Sequence, residues 1–268
     1  GYHHILEENA DSISFLQPGM YVTRKTFEMH IRFLIKRFTI ITLEDVNING
    51  PRKGTCVLTF DDGWADNYSV AFPILRKYNV PATIYLSTRY IGSSDWPWPD
   101  KISQLARLAR PFEVGTLIGM LESRLPVKMH GGFRNSILTE TNHLLVAERL
   151  IKVMKGFSDE DLQLCIEKVD ELITPYLGAM NCPAPWITWS QAAEMASAKI
   201  SFGAHTHNHK ILTEVSADTA RNEIVASRDI LSNKLSSMPT SFSYPNGNYN
   251  EKIISLLKDE GFKMAVTT

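Results

Sequence analysis

Residues 56–63 read Cys56-Val57-Leu58-Thr59-Phe60-Asp61-Asp62-Gly63, a run of apolar and β-branched side chains that stops at two carboxylates and a glycine. Such a run suits a buried strand, and Asp and Gly tolerate the turn that would follow it. Downstream, Tyr68, Ala71, Leu75 and Tyr78 recur at three- and four-residue spacing, one face of a helix whose start Pro73 constrains. Pro81 then introduces Ala82-Thr83-Ile84-Tyr85-Leu86-Ser87, a second strand. Strand, helix and strand in succession need a crossover, and that connection joins parallel strands.

The alternation continues on both sides of this unit. Tyr2-His3-His4-Ile5 reads as the end of a strand whose earlier residues lie upstream. Thr23 can cap a helix carrying Phe27, Ile31, Leu34 and Phe38 on one stripe, and Ile40-Ile41 precedes a polar turn. From Trp189 a helix runs through Met195, followed by a strand at residues 200–204 and a helix from Ser216 with Ala220, Ile224, Leu231 and Leu235 on one face. A strand around Phe242, a helix through Ile253 and Leu257 ended by Gly261, and a strand at residues 264–266 complete the pattern. Residues 95–185 break the rhythm. Asp95-Trp96-Pro97-Trp98-Pro99 opens them, Pro183-Ala184-Pro185-Trp186 closes them, and leucine- and isoleucine-rich helical stretches lie between, one over residues 159–172. The tryptophans at these flanks (Trp96, Trp98, Trp186, Trp189) are expected either to cement an insertion onto the main fold or to wall a substrate cleft. The expected architecture is a distorted (β/α) barrel: a single catalytic domain over residues 1–268, with a mainly α-helical insertion at about 95–185.

Composition narrows the function classes. With 44% hydrophobic and 21% charged residues the chain is an ordinary globular one, and a net charge of −1 without a basic block argues against nucleic acid as partner. No apolar run nears the roughly 18 residues of a membrane span, and no signal-peptide pattern opens the chain. Three cysteines (Cys56, Cys165, Cys182) without close pairing suit free thiols in a reducing compartment.

Chemistry concentrates at strand ends. Phe202-Gly203-Ala204-His205-Thr206-His207-Asn208-His209-Lys210 places three of the eight histidines within five residues, again where a β run stops. In α/β folds that edge is where sites are built. Two imidazoles and a carboxylate suit a divalent metal, and a neighbouring carboxylate suits proton transfer. Asp61 and Asp62 do not easily ligate together, because successive strand residues point oppositely, so one binds while the other stays free. Taken separately, Asp-Asp-Gly is also a common turn, and a histidine run is also a solvated loop. A third segment, Thr240-Ser241-Phe242-Ser243-Tyr244-Pro245-Asn246-Gly247-Asn248-Tyr249, adds another β-like run and turn.

In this order, Thr59-Phe60-Asp61-Asp62-Gly63, His205-Thr206-His207-Asn208-His209 and Tyr244-Pro245-Asn246-Gly247 resemble the signatures of the polysaccharide deacetylase (NodB-homology) family. The first two match its Thr-Phe-Asp-Asp-Gly and His-Ser/Thr-x-x-His motifs, and the resemblance covers roughly residues 1–95 and 186–268. It implies the same barrel, with Asp62, His205 and His209 ligating a divalent metal (zinc, with cobalt and nickel as alternatives) and Asp61 as general base. It also implies the Asn246 backbone N–H as oxyanion donor, with Tyr244 of the same motif and Trp64 on the substrate side, Trp64 either walling the sugar site or buried in the core. His207 occupies a variable position and is expected to face solvent or support the ligands. Two departures stand out. Ser243 replaces an arginine often found there, and no late motif with a general-acid histidine precedes Thr268. Either the chain is cut before that histidine, or another residue protonates the amine, or the protein is a weak or inactive relative. His3 is the candidate substitute, against a structural histidine there, since a Tyr-His opening recurs in bacterial members at the end of the first strand.

The function expected is hydrolysis of an N-acetyl group from an amino sugar in a glycan, lipid-linked sugar or surface-polysaccharide precursor. The partner is then an N-acetylated carbohydrate, and the location cytoplasmic or membrane-associated through the substrate. The competing readings are a catalytically weak or inactive carbohydrate-binding relative, and a metal phosphoesterase, which the two histidines disfavour against a carboxylate-rich magnesium site.

Overall fold

A computed structural model describes residues 1–8, 16, 19–109, 111–126, 130–177 and 185–267. The chain forms two compact units: Gly1–Ala10, Gly19–Asp95 and Ala184–Thr268 make one, and Asp11–Pro18 with Trp96–Pro183 make the other. In the first, β1 (His4–Leu6) pairs in parallel with β2 (Tyr21–Thr23). Thr23 caps α1 (Arg24–Leu34), its hydroxyl accepting from the Thr26 amide, and Phe27 and Ile31 are buried as the spacing predicts. Phe38 is not on that stripe: the helix ends at Leu34, and Phe38 lies beyond it on the surface.

The polar turn expected after Ile41 is a helix instead. Between β3 (Thr39–Ile40) and β4 (Thr55–Cys56), Thr42 and Asp45 form a reciprocal capping box that launches α2 (Leu43–Asn49). The run at residues 56–60 is likewise not one strand. Thr55 and Cys56 pair with β3, whereas β5 (Thr59–Phe60) joins a different sheet. After β5 the backbone coils into α3 (Phe72–Lys77), with Pro73 in its first turn where a missing N–H costs nothing, and reaches β6 (Ala82–Leu86).

In the second unit, α4 (Trp98–Leu108), α5 (Pro111–Glu122), α6 (His130–Leu138), α7 (His143–Met154) and α8 (Asp159–Leu177) bury a core of their own, including Ile102, Leu117, Leu121, Leu150 and Val169. Trp98 packs on that core. Lys101, 7% exposed, is neutralised by Asp170 at 2.6 Å, as a buried cation requires.

The first unit resumes with α9 (Trp189–Ala196), β7 (Ile200–Ala204), α10 (Ala217–Leu235), β8 (Ser241–Ser243), α11 (Glu251–Asp259) and β9 (Met264–Val266). Thr188 and Ser216 cap α9 and α10, and Gly261 follows α11 at φ 89°, the left-handed position a helix stop favours. The strands form one parallel sheet in the order β5-β6-β7-β8-β9, curled into a half-barrel. Tyr2 adds a parallel bridge to Phe60, so the N-terminal segment continues the curl next to β5. Successive strands are neighbours, so the ends of β5, β7 and β8 open on the same edge. Trp186 stacks between Trp64 and Tyr90, and Trp189 packs on the barrel core. Among the described residues, Cys56 and Cys165 are free thiols and no helix is long and apolar enough to cross a membrane. Cys182, Pro183 and Ala184 lie outside the described residues.

Gly63 is required twice over at the turn after β5. Its φ is 89°, and a Cβ there would sit 2.6 Å from Leu86 Cδ2 and 2.8 Å from Ile91 Cδ1. Gly63→Ala should therefore lose about 2 kcal/mol or more, left-handed strain adding to overpacking. A urea midpoint within error of the unsubstituted protein would contradict this packing.

Candidate active site

Asp62 and His209 both have left-handed backbones, with φ of 75° and 58°, and so does Thr206 at 63°. Non-glycine residues adopt that region at a cost, and such strain clusters at sites of function. It turns two strand ends toward each other. Asp62 Oδ1 lies 3.5 Å from His205 Nε2 and 3.3 Å from His209 Nε2, and the three ligand atoms fall within 4.8 Å of one another.

Two of the three ligand atoms are freed by a partner on the other side of their side chains. The Trp64 indole N–H donates to Asp62 Oδ2 at 3.0 Å, leaving Oδ1 for the cluster. His205 is 2% exposed and bonds through Nδ1 to the Ser243 carbonyl at 2.8 Å. That acceptor puts the proton on Nδ1 and leaves a lone pair on Nε2. The His209 side chain is 37% exposed, and its ring meets that of His205 at 4.9 Å between centroids. Burial opposes ionisation of Asp62, but His209, His205, His3 and the Trp64 indole bring its carboxyl below the usual range. One carboxylate oxygen and two imidazole nitrogens that converge in this way fit a divalent cation that accepts mixed nitrogen and oxygen donors.

Asp61 is equally buried, at 5% exposure, and is not one of the three converging residues. Its amide donates to the Tyr2 carbonyl, while its Oδ1 is buried with no hydrogen-bond partner. A buried carboxylate oxygen without a partner is costly, which makes it a reserved acceptor. His3 follows the Tyr2–Phe60 bridge, and its carbonyl accepts from Asn67 Nδ2 at 2.8 Å. Tyr244 is buried and stacked on Tyr249, and Asn246 sits exposed at φ 58° in the turn Pro245–Gly247. His207 supports the loop through a 3.0 Å contact of Nδ1 with the Thr88 hydroxyl.

Of the two expectations for Trp64, a sugar wall or burial in the core, the structure shows burial. Trp64 is 3% exposed, with its faces against His4 (4.1 Å) and Trp186 (4.2 Å), so it does not present an open wall to a sugar. Its contribution is the hydrogen bond that aims Asp62. Two groups escaped the sequence altogether. The Ser243 main-chain carbonyl has no residue-type signal, and Glu223 of α10, whose carboxylate binds the histidine loop, carries no motif.

The comparisons bear on the family and the fold. Bacillus subtilis YxkH, whose name provisionally places it among polysaccharide deacetylases, is 22% identical over 273 aligned residues, an alignment that takes in all of this chain but 62% of the relative. The chain therefore spans less than two thirds of the curated relative it matches. Among solved structures, the Streptococcus pyogenes deacetylase PplD, in complex with acetate, superposes with a TM-score of 0.60 at 20% identity, covering 100% of this chain and 81% of that one. IcaB from Ammonifex degensii gives 0.58 at 15% identity, covering 99% and 81%. At such identities these structures bear on the fold alone. The profile described as polysaccharide deacetylase matches residues 49–117 and 164–265, which is more than half of the chain and contains both the Asp-Asp-Gly turn and the histidine loop. This chain belongs to the polysaccharide deacetylase family.

Proposed function

We propose that this chain is a metal-dependent N-deacetylase acting on N-acetylated amino sugars within a glycan or a lipid-linked or surface-polysaccharide precursor. The observation that carries the reading is the convergence of Asp62 Oδ1, His205 Nε2 and His209 Nε2 beside an unpartnered, buried Asp61 Oδ1. Asp62, His205 and His209 would hold a divalent cation, zinc being the best match to two imidazoles and one carboxylate. When bound, it supplies Lewis-acid polarisation of the acyl carbonyl and makes the attacking water easier to deprotonate.

The protein's own groups divide the rest of the work. Asp61, the adjacent carboxylate that is not among the three ligands, accepts the water's proton. The Asn246 amide N–H donates to the oxygen as negative charge develops, with Tyr244 shaping the turn that carries it. His3 protonates the departing amine. Its support is its place after the Tyr2–Phe60 bridge, close enough to add to the positive field on Asp62.

Acetate release from an N-acetylhexosamine oligomer tests this directly. Zinc-loaded protein should release acetate, chelation should abolish release, and His3→Gln should slow it by about 10²–10⁴-fold with zinc retained. Binding of the oligomer without acetate release by zinc-loaded protein would identify a carbohydrate-binding relative, and release of phosphate from a phosphoester would identify a phosphoesterase.

A further inference from the structure

Glu223 lies on α10, outside every motif, yet its carboxylate is 5% exposed and faces the loop between His205 and His209. Oε2 accepts the backbone N–H groups of His207 at 3.0 Å and Asn208 at 2.7 Å, and Oε1 accepts Asn208 Nδ2 at 2.6 Å. From the other side, the Arg89 amide donates to the His207 carbonyl at 3.0 Å and the Arg89 guanidinium to Asn208 Oδ1 at 3.0 Å. The loop is thus clamped at its centre, between two backbone positions in the left-handed region, Thr206 and His209.

The two histidines depend on this clamp unequally. His205 is buried, ends β7 and is oriented by the Ser243 carbonyl, all independent of Glu223. His209 has a side chain 37% exposed and directly follows the clamped residues His207 and Asn208 in the loop. We propose that Glu223 is a positioning residue for the metal site, holding the 206–209 loop so that His209 Nε2 meets Asp62 and His205. The proposal rests on the metal reading above. A carboxylate is needed because three donors converge on its two oxygens, whereas an amide with its one oxygen on the two backbone N–H groups turns its N–H₂ against the Asn208 side-chain N–H₂.

The test is the zinc affinity of purified variants, measured by competition with a chromophoric chelator, alongside melting temperature without metal. Glu223→Gln should bind zinc about 10–100-fold more weakly. In a His209→Ala background the same change should cost nothing further, since the group it acts through is gone. Asn208→Ala, which removes one donor and keeps the carboxylate, should give a smaller loss in the same direction and serves if Glu223→Gln does not fold. Unchanged zinc affinity in Glu223→Gln, or an equal loss with and without His209, would assign Glu223 to folding alone. Failure of the unsubstituted protein to bind zinc would instead overturn the metal reading itself.

Discussion

Asp61→Asn is expected to keep zinc and glycan binding while slowing acetate release by about 10²–10⁴-fold. The substitution is nearly isosteric at a site 5% exposed, so packing is preserved. Asp61 is not among the three converging ligands, which leaves metal content unaffected. What disappears is the acceptor: an amide in place of the carboxylate can no longer take a proton at useful pH. Single-turnover rates at matched zinc occupancy are the measurement. Turnover close to that of the unsubstituted enzyme would move the base elsewhere.

His209→Ala is expected to lower bound zinc well below one equivalent at micromolar protein, and activity with it. Its half-exposed side chain can be removed with little damage to the core, whereas His205→Ala would also leave the buried Ser243 carbonyl without its donor. Two remaining ligands, Asp62 and His205, offer no closed face to the ion. Metal analysis after gel filtration reads the stoichiometry directly, and one equivalent of zinc retained by this variant would remove His209 from the site. The same preparation supplies the background for the Glu223 measurement, so both tests share one control.

Much of the fold is legible because it is written at short range. Thr23, Thr188 and Ser216 announce helix starts through a hydroxyl that reaches three residues ahead, and Gly261 announces a stop through its freedom at φ 89°. The spacing of Ala220, Ile224 and Leu231 shows which face of α10 is buried, and each of these residues is. Strand ends carrying Asp61-Asp62 and His205-Thr206-His207-Asn208-His209 make the candidate site visible for the same reason: residue type and position along the chain are enough. The errors came where short-range signals compete. Thr42 and Asp45 read as turn residues, but their reciprocal bonds start a helix, and the run at residues 56–60 looks continuous although two different sheets claim its halves.

Glu223, by contrast, is one acidic residue among many on a helix, and its role exists only once α10 packs behind the histidine loop. The Ser243 carbonyl is a group every residue has, so nothing in the sequence marks it as the acceptor that orients His205. Trp64 followed the Asp-Asp-Gly motif in a place where a sugar wall was plausible, and only the stacking of His4 and Trp186 over its faces decided that it aims Asp62 instead. The sequence by itself therefore determined most strands and helices, the family and the residue types of the candidate site, since local periodicity and motif spacing encode them. The tertiary structure alone decided which oxygen and nitrogen atoms converge and what holds them, because those contacts join segments far apart in the chain, as Asp62 is from His205 and His209.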